Sequence, residues 1–362
     1  MSHVEPFPRD KDTTPTARDH RDRHQGALWH ALALGRVNGR ASDELDRIRN
    51  ALSTTIRDMC ETRGLEVPEF RTSPRPLPMV VESDARRPAD RFSLEYLAFI
   101  GFDGDRSPTL ETLRRLQRGH VLNIKWENLD AVLHKHVALD IPAVQAKLLR
   151  SPRGGYCYEH VALFGAVLQR LGFDFYGIQG RVQMGATTIR PATHGMLVVR
   201  LAAEQWLCDV GFGTSPLAPI RLVDEAVVAD ESWTYRLRRG EVTPGADGWT
   251  LSEAAGDGSE PGWLSRHTFV LEPQYPIDYR AASYFVASSP HSPFSTRAFV
   301  QQISPDHAYI LDHRELHEIQ PGVGRKTRQL TPAEVLATLR EIFGIELGAD
   351  DSTLLLERLA EQ

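Results

Sequence analysis

The chain has 362 residues, 41% of them hydrophobic and 25% charged, a composition that allows more than one folded core. A formal net charge of −6 without a long Lys/Arg run gives no electrostatic reason to expect a polyanionic partner, so no nucleic-acid partner is expected. Three cysteines without CxxC spacing argue against a disulfide framework and a cysteine zinc site, and they favour a cytoplasmic location.

The N-terminal part, residues 1–85, is predicted to be a partly helical extension. Its opening segment is too charged for a signal peptide, and the apolar "ALWHALALG" is too short to span a bilayer, so neither export nor a membrane is expected. Helical patterns run over residues 17–37 and from Ser42 to Gly64. The proline-rich "VPEFRTSPRPLPM" then predicts a stiff linker.

The rest of the chain is predicted to form three consecutive domains of an α+β protein. Residues 86–172 have helical periodicity, as in "SLEYLAFIGF" and "PAVQAKLLR", which predicts a helical bundle. Residues 173–280 have short alternating stretches such as "HGMLVVRL" and "QWLCDVGFG", which predict an antiparallel β-barrel. Residues 281–362 combine strands around "AYILDHRELHEI" with the helix "PAEVLATLREIFG", which predicts a mixed α/β domain.

Cys157 follows two glycines in "SPRGGYCYEHVALF". Three roles are open for it: a buried small residue, a metal ligand or a nucleophile. The apolar residues after it form a helical stripe that ends at Gly172, so Cys157 is predicted in the first turn of a helix. A helix N-terminus and a neighbouring imidazole both lower the pKa of a thiol, and Gly154 and Gly155 let the backbone turn sharply. Because a lone cysteine is usually inert, the nucleophile hypothesis depends on finding partners.

A histidine and an aspartate in the next two predicted strands are the candidate partners. In "THGMLVVRLAAEQWLCDVGFG", a hairpin that turns at Leu201 and Ala202 would place His194 directly opposite Asp209. An aspartate directly opposite a histidine can fix the tautomer of that histidine. A slip of the strand pairing by one residue would instead place the two side chains on opposite faces of the sheet. A nucleophile at a helix start, followed by His and Asp on adjacent strands, is the chain order of papain-like and transglutaminase-like sites.

Four motifs together resemble the arylamine N-acetyltransferases, which use a Cys-His-Asp triad: "KWENLD", "RGGYCYEH", "THGMLVV" and "WLCDVGFG". The resemblance extends to "YLAFIGFDGDRSPTLETLRRLQRGH", "SSPHSPFSTRAF" and "LREIFGIEL", and it covers about residues 92–347. It implies that Cys157 is the nucleophile, His194 the base and Asp209 the orienting acid. The implied fold is a helical bundle, a β-barrel and an α/β lid around a papain-like core.

Three positions depart from the usual pattern of this family. Phe99 stands where the family usually has an Arg that pairs with the Glu matched by Glu127, which leaves Arg153 as the possible partner. Val161 stands where Asn is common, and Trp126 replaces a more common Phe, so we expect the bulkier Trp126 to reshape the acceptor pocket. None of these changes touches the triad.

The resemblance also implies a reaction and a substrate pocket. The Cys157 thiolate would attack acetyl-coenzyme A or another acyl-coenzyme A, and the acyl-enzyme would pass its acyl group to a small-molecule arylamine or hydrazine, with His194 removing the proton. The pocket for the acyl group and the acceptor would be lined by Trp126, Tyr158, Thr193 and Phe212. Gly211 and Gly213 would let the backbone approach the coenzyme.

The sequence is also compatible with two other functions. An amide synthase acting on a carrier-bound acyl chain would use the same scaffold, and a cysteine hydrolase would use the same triad with water as the acceptor. No metal is expected, because the His20–His24 and His134–His136 pairs have no nearby carboxylate or thiol to complete a site. The sequence does not indicate an oligomeric state.

Overall fold

The computed structural model describes residues 91–186, 188–255 and 262–360. The helices predicted over residues 17–37 and from Ser42 to Gly64 lie outside these ranges. No helix in the described ranges combines the length and the apolar composition needed to cross a membrane.

Helices form the first described part of the chain, in agreement with the predicted helical bundle. They are α1 (Arg91–Phe99), α2 (Leu110–Asn123), α3 (Leu129–Val132), α4 (Ile141–Arg150) and α5 (Cys157–Arg170). The side chain of Thr109 caps α2 by accepting from the Thr112 N–H, and Asp140 caps α4 by accepting from the Ala143 N–H. The buried faces of these helices join one large apolar cluster that also includes the central strands of the barrel.

An eight-stranded antiparallel sheet follows and curls into a nearly closed barrel, as predicted. Its strands are β2 (Asp174–Val182), β3 (Ala192–Leu201), β4 (Glu204–Cys208), β5 (Ile220–Arg221), β6 (Ala226–Asp230), β7 (Trp233–Thr243), β8 (Ala246–Ala255) and β9 (Gly262–Phe269). They are ordered β5-β4-β3-β2-β9-β8-β7-β6. Because α5 packs against β3, six consecutive residues of β3 are buried rather than alternating ones.

The predicted register of the β3–β4 hairpin is wrong. Leu201 pairs with Glu204 and Leu197 with Cys208, so the turn is formed by Ala202 and Ala203, one residue later than expected. The reason is that Ala202 adopts a φ of 53° without the Gly or Asn that usually marks such a turn. Moving the turn by one residue shifts the pairing by two positions, and a shift of two keeps every side chain on its original face.

A second, five-stranded antiparallel sheet is ordered β1-β10-β11-β12-β13. Its strands are β1 (Trp126–Glu127), β10 (Phe299–Ile303), β11 (Ala308–Asp312), β12 (Glu315–Gln320) and β13 (Gly324–Gln329). The helices of this part are α6 (Pro276–Ser288), α7 (Pro332–Glu341) and α8 (Ala349–Ala360), with a 3₁₀ turn over Pro293–Ser295. β1 belongs to the helical stretch in sequence, yet it pairs with β10. The strands predicted around "AYILDHRELHEI" are confirmed as β11 and β12, and the predicted helix is confirmed as α7. The sequence did not predict β10, β13, α6 or α8.

The predicted domain limits at residues 172 and 280 remain predictions, and the one at residue 85 lies outside the described residues. The limit at 280 falls within α6, which runs from Pro276 to Ser288 without interruption.

Candidate active site

Cys157 is the first residue of α5, which confirms the predicted helix start. The side chain is buried, and its Sγ lies 3.7 Å from the carbonyl oxygen of Thr193 in β3. Glu159, two residues further on, accepts a 3.0 Å hydrogen bond from the Tyr156 N–H and so closes the first turn. The backbone N–H groups of a first turn have no acceptor within the helix, and they bring positive charge to the end where the thiol lies.

The two glycines before Cys157 serve close packing rather than a left-handed turn. Neither Gly154 nor Gly155 has a positive φ, so a left-handed backbone does not account for these glycines, and the sharp turn expected of them stays a prediction. A Cβ on Gly154 would instead collide with the Lys125 carbonyl oxygen, and one on Gly155 would lie 2.7 Å from Glu159 Oε2. Only glycine lets this segment lie so close to the residue before β1 and to the first turn of α5.

His194 and Asp209 are in direct contact, as predicted from their shared face. His194 Nε2 donates to Asp209 Oδ1 over 2.9 Å, and both side chains are buried. They are not directly opposite each other, because Asp209 lies just beyond the end of β4 and contacts His194 diagonally. Burial alone would lower the pKa of His194, but the Asp209 carboxylate, helped by Cys157, raises it to about 9. Burial opposes ionisation of Asp209, yet His194 holds its pKa at about 2.

His267 is a buried neighbour of this pair that the sequence did not reveal. It lies in β9, its Nε2 is 3.6 Å from Asp209 Oδ2, and its ring centroid is 5.0 Å from that of His194. Burial lowers the pKa of His267 to about 3, so the imidazole is neutral. No local signal links β9 to β4, because the two strands are not neighbours in the sheet.

The side chains of His194, Asp209 and His267 could together hold a metal ion, since their ligand atoms lie within 4.8 Å of one another. Asp209 Oδ1, however, already accepts from His194 at 2.9 Å. A cation between them would replace the hydrogen bond that orients His194, so the geometry suits a proton-transfer pair better than a metal centre.

Phe212 covers the imidazole of His194. Their ring centroids are 5.2 Å apart with an interplanar angle of 86°. The guanidinium of Arg266 lies 4.2 Å from the Phe212 ring centroid and donates to the Thr214 carbonyl oxygen over 2.8 Å. Arg266 is fully buried and paired with Glu253, and its hydrogen bond to Thr214 holds the loop that carries Phe212.

The other residues of the predicted pocket lie around Cys157. Trp126 is buried and its Nε1–H donates to the Gly211 carbonyl oxygen over 2.6 Å. A Cβ on Gly211 would lie 2.7 Å from Cys157 Cα, so this glycine packs against the candidate nucleophile itself. Tyr158 is buried with its ring centroid 5.4 Å from that of Tyr279.

Gly213 has a φ of 95°, a conformation that favours glycine, and a Cβ there would lie 2.5 Å from Gln301 Oε1. Backbone conformation and close packing therefore explain this glycine, and its predicted approach to a coenzyme remains a prediction.

Glu127 and Arg153 form the ion pair that the sequence left as a possibility. Arg153 Nε donates to Glu127 Oε1 over 2.8 Å, and its Nη2 donates to Asp130 Oδ1 over 2.7 Å. The second oxygen of Glu127 accepts from the Leu129 N–H over 2.6 Å. Phe99 lies exposed at the end of α1 and takes no part in this pair.

Lys147 extends this ion pair to the start of α5. Its Nζ lies 2.6 Å from Asp130 Oδ2 and 2.8 Å from Glu159 Oε1. Burial raises the pKa of Glu159 to about 7 although Lys147 opposes the shift. Since Glu159 also holds the Tyr156 N–H, the network braces the turn that presents Cys157.

The described chain matches known proteins over most of its length. The N-acetyltransferase family matches residues 109–352. The arylamine N-acetyltransferase of Mycolicibacterium smegmatis is 37% identical over 260 residues, which are 70% of this chain and 91% of that protein. That of Escherichia coli (strain K12) is 33% identical over 71% of this chain and 89% of its own length.

Solved structures agree in fold. The arylamine N-acetyltransferase of Nocardia farcinica has a TM-score of 0.71 and 43% identity, over 75% of this chain and 95% of that one. The Mycobacterium marinum enzyme in complex with CoA has a TM-score of 0.67 and 32% identity, over 74% and 98% of the two chains. The arrangement of α5, β3 and the barrel together with these matches confirms the resemblance read from the motifs: the chain belongs to the arylamine N-acetyltransferase family.

Proposed function

We propose that the protein transfers an acetyl or short acyl group from an acyl-coenzyme A to an arylamine or hydrazine through a thioester on Cys157. The observation that carries the proposal is the alignment of three buried side chains: Cys157 at a helix start, His194 on the adjacent strand, and Asp209 hydrogen-bonded to His194 over 2.9 Å. Such an alignment suits a thiol nucleophile, its base and the group that orients the base.

The first half-reaction follows from the protons in this geometry. A carboxylate only accepts hydrogen bonds, so Nε2 of His194 carries a proton and Nδ1 is free to take one from Cys157. With its pKa raised to about 9, His194 retains that proton at neutral pH. The Cys157 sulfur then bonds to the thioester carbonyl carbon, the bond to the coenzyme sulfur breaks, and His194 returns the proton to the coenzyme thiolate.

The second half-reaction uses the same groups in reverse order. The neutral amine nitrogen attacks the carbonyl carbon of the acyl-enzyme, and His194 takes the proton that the nitrogen loses. The bond from carbon to the Cys157 sulfur breaks, and the thiol is restored. Aromatic amines and hydrazines suit this step because their low pKa keeps them neutral near pH 7.

The pocket assignments belong to the proposal. Trp126, Tyr158, Thr193 and Phe212 are proposed to line the space for the acyl group and the acceptor, because each lies next to Cys157, His194 or Gly211. Gly211 and Gly213 are proposed to leave room for the coenzyme, and Glu127 with Arg153 to support the loop before Cys157.

An acyl-coenzyme A donor is favoured over a carrier-bound chain, because the matched proteins are named arylamine N-acetyltransferases and one was solved with CoA. A hydrolase would share the triad, but it is not among the matched relatives reported above. The acceptor is accordingly proposed to be a small amine, and the cysteine usage supports a cytoplasmic location.

Steady-state kinetics with acetyl-coenzyme A and a substituted aniline test this function. We expect parallel double-reciprocal lines, formation of the acetanilide, and loss of turnover in Cys157→Ser, since a serine hydroxyl is a far weaker nucleophile without a site shaped to activate it. Release of acetate at the same rate without the aniline would show a hydrolase instead. Intersecting lines with an active serine variant would contradict the covalent mechanism.

A further inference from the structure

A chain of three buried polar side chains crosses the helical part of the molecule. The Tyr96 hydroxyl in α1 lies 3.0 Å from His120 Nδ1 in α2. His120 Nε2 lies 2.8 Å from His160 Nδ1 in α5. All three side chains are buried, and the His120 and Phe164 rings pack edge to face with centroids 5.2 Å apart. The ion pairs around Glu127 and the triad do not include any of these three residues.

The far end of this chain fixes the direction of every hydrogen bond in it. His160 Nε2 lies 3.0 Å from the Gly155 carbonyl oxygen and 3.2 Å from that of Lys125, and carbonyl oxygens only accept. His160 therefore carries its proton on Nε2, which leaves Nδ1 to accept from His120 Nε2–H. His120 Nδ1 must then accept from the Tyr96 hydroxyl.

This arrangement needs both imidazoles to be neutral. A second proton on His160 Nδ1 would face the His120 Nε2–H, and one on His120 Nδ1 would reverse the hydrogen bond with the Tyr96 hydroxyl, which can also accept. Burial lowers the pKa of His160 to about 4 and that of His120 well below its usual range. At neutral pH the chain is therefore complete, with every ring nitrogen and the hydroxyl paired.

The chain ends at the segment that presents the nucleophile. The Gly155 carbonyl also accepts from the Glu127 N–H over 2.9 Å, and the Gly155 N–H donates to Lys125 over 3.2 Å. Gly155 is two residues before Cys157, so a shift of its peptide moves the first turn of α5 relative to His194. Misplacement of a reacting group by about 1 Å costs up to about 100-fold in rate.

We propose that Tyr96, His120 and His160 form a one-way hydrogen-bond chain that positions the Gly155 peptide, and through it Cys157, for acylation. The three are positioning residues, since none is argued to touch the substrate. The proposal deepens the function proposed above and rests on it.

Substitutions at His160 test the direction of the chain. His160→Gln keeps one N–H donor for the carbonyls and one oxygen acceptor for His120, whereas His160→Leu keeps neither. The triple variant Tyr96→Phe, His120→Leu, His160→Leu removes all the polar side-chain atoms together, so no side chain is left unpaired in the core. The readouts are single-turnover acetylation of Cys157 by acetyl-coenzyme A, the KM for acetyl-coenzyme A, the alkylation rate of Cys157 with iodoacetamide, and the melting temperature.

We expect His160→Gln to acylate close to the wild-type rate, and His160→Leu and the triple variant to acylate about tenfold more slowly with unchanged KM. Iodoacetamide alkylation of Cys157 should slow in the same order. Wild-type acylation rates in the Leu variants, or equal slowing in Gln and Leu, would overturn the proposal. If the triple variant does not fold, the Gln and Leu comparison decides. If wild-type Cys157 takes no acetyl group, the proposed function has failed, and the alkylation rates still test the positioning.

Discussion

The surroundings of Cys157 and Cys208 explain why two buried thiols have different expected chemistry. Cys208 ends β4 in full burial, where the apolar environment and the Asp209 carboxylate raise the pKa of its thiol. Cys157 instead begins α5, beside His194 and at the positive end of the helix. The two residues are of the same type, so the helix start and the neighbouring imidazole account for the different reactivity that we expect of Cys157.

At this scale the first prediction concerns Asp209. Asp209→Asn keeps the shape of the side chain but removes the charge that holds His194 Nε2–H and raises the pKa of His194. We expect the variant to fold and its kcat to fall by about 10³-fold or more, as for loss of the orienting acid in other triads. Steady-state kinetics and circular dichroism measure the two effects. Near-normal turnover would remove Asp209 from the triad.

The second prediction concerns the close approach of Gly211 to the nucleophile. Gly211→Ala would place a Cβ 2.7 Å from Cys157 Cα, a backbone atom that cannot rotate away. We expect acylation of Cys157 to slow at least about tenfold, because α5 or the loop must move. Gly240→Ala is the matched control, since a Cβ there meets no atom within 4 Å. Equal acylation rates in the two variants would show that this contact is unimportant.

At the scale of elements, the register predicted for the β3–β4 hairpin was wrong, yet the predicted contact between His194 and Asp209 was correct. The error moved the pairing by two positions, so His194 and Asp209 stayed on one face and meet diagonally. An error of one position would have separated them. The side-chain alternation of strands therefore carried the prediction of this contact, whereas the exact turn depended on the conformation of Ala202.

The third prediction tests that turn. Ala202→Gly should raise the free energy of unfolding by up to about 1 kcal/mol, because glycine adopts a φ of 53° without strain. Ala203→Gly should lower it by about 0.5 to 1 kcal/mol, since this exposed neighbour does not have a positive φ and glycine only adds freedom to the unfolded chain. Urea unfolding of both variants measures the difference. The same sign for both would contradict the assigned turn.

Elements distant in sequence mark the limit of what the sequence predicts. The helical stripe after Cys157 gave the start of α5. The departure from the family pattern at Phe99 left Arg153 as the possible partner of Glu127, and the structure shows that ion pair. His267 could not be predicted, because β9 reaches the site by pairing with β2 and no periodicity encodes that neighbour. For the same reason the sequence did not predict β1. This two-residue strand lies inside a helical stretch and is defined only by its pairing with β10.

At the scale of the whole molecule, the buried His194–Asp209 pair contributes to the dependence of stability on pH. His194 has its pKa raised from 6.5 to about 9 in the folded state, so its contribution is fully present below pH 6.5 and is lost as the pH rises through 9. Asp209 has its pKa lowered from 3.8 to about 2, so its contribution is present above pH 3.8 and is lost as the pH falls through 2.

The fourth prediction follows from the loss of the His194 contribution to stability at alkaline pH. Both proteins should carry Cys157→Ala, so that the thiol does not titrate. Because Cys157 helps to raise the pKa of His194, its loss leaves the Asp209 carboxylate to hold that pKa above 6.5 but below 9. Relative to Asp209→Asn, the chain with Asp209 should therefore have its greatest stability advantage near pH 6, and this advantage should narrow between pH 6.5 and pH 9. Urea unfolding across this pH range gives the free energies. A difference that stays constant from pH 6 to pH 10 would contradict the raised pKa of His194.

The role of Cys157 as the nucleophile is tested most directly by locating the acetyl group on the protein. The protein is incubated with acetyl-coenzyme A without an amine, and intact-protein mass and peptide mapping then locate the modification. We expect one acetyl group on Cys157, none in Cys157→Ser, an unchanged result in Cys208→Ser, and loss of the group as an amide when an arylamine is added. An acetyl group on Cys208 or Cys60, or turnover without any modification of Cys157, would contradict this role.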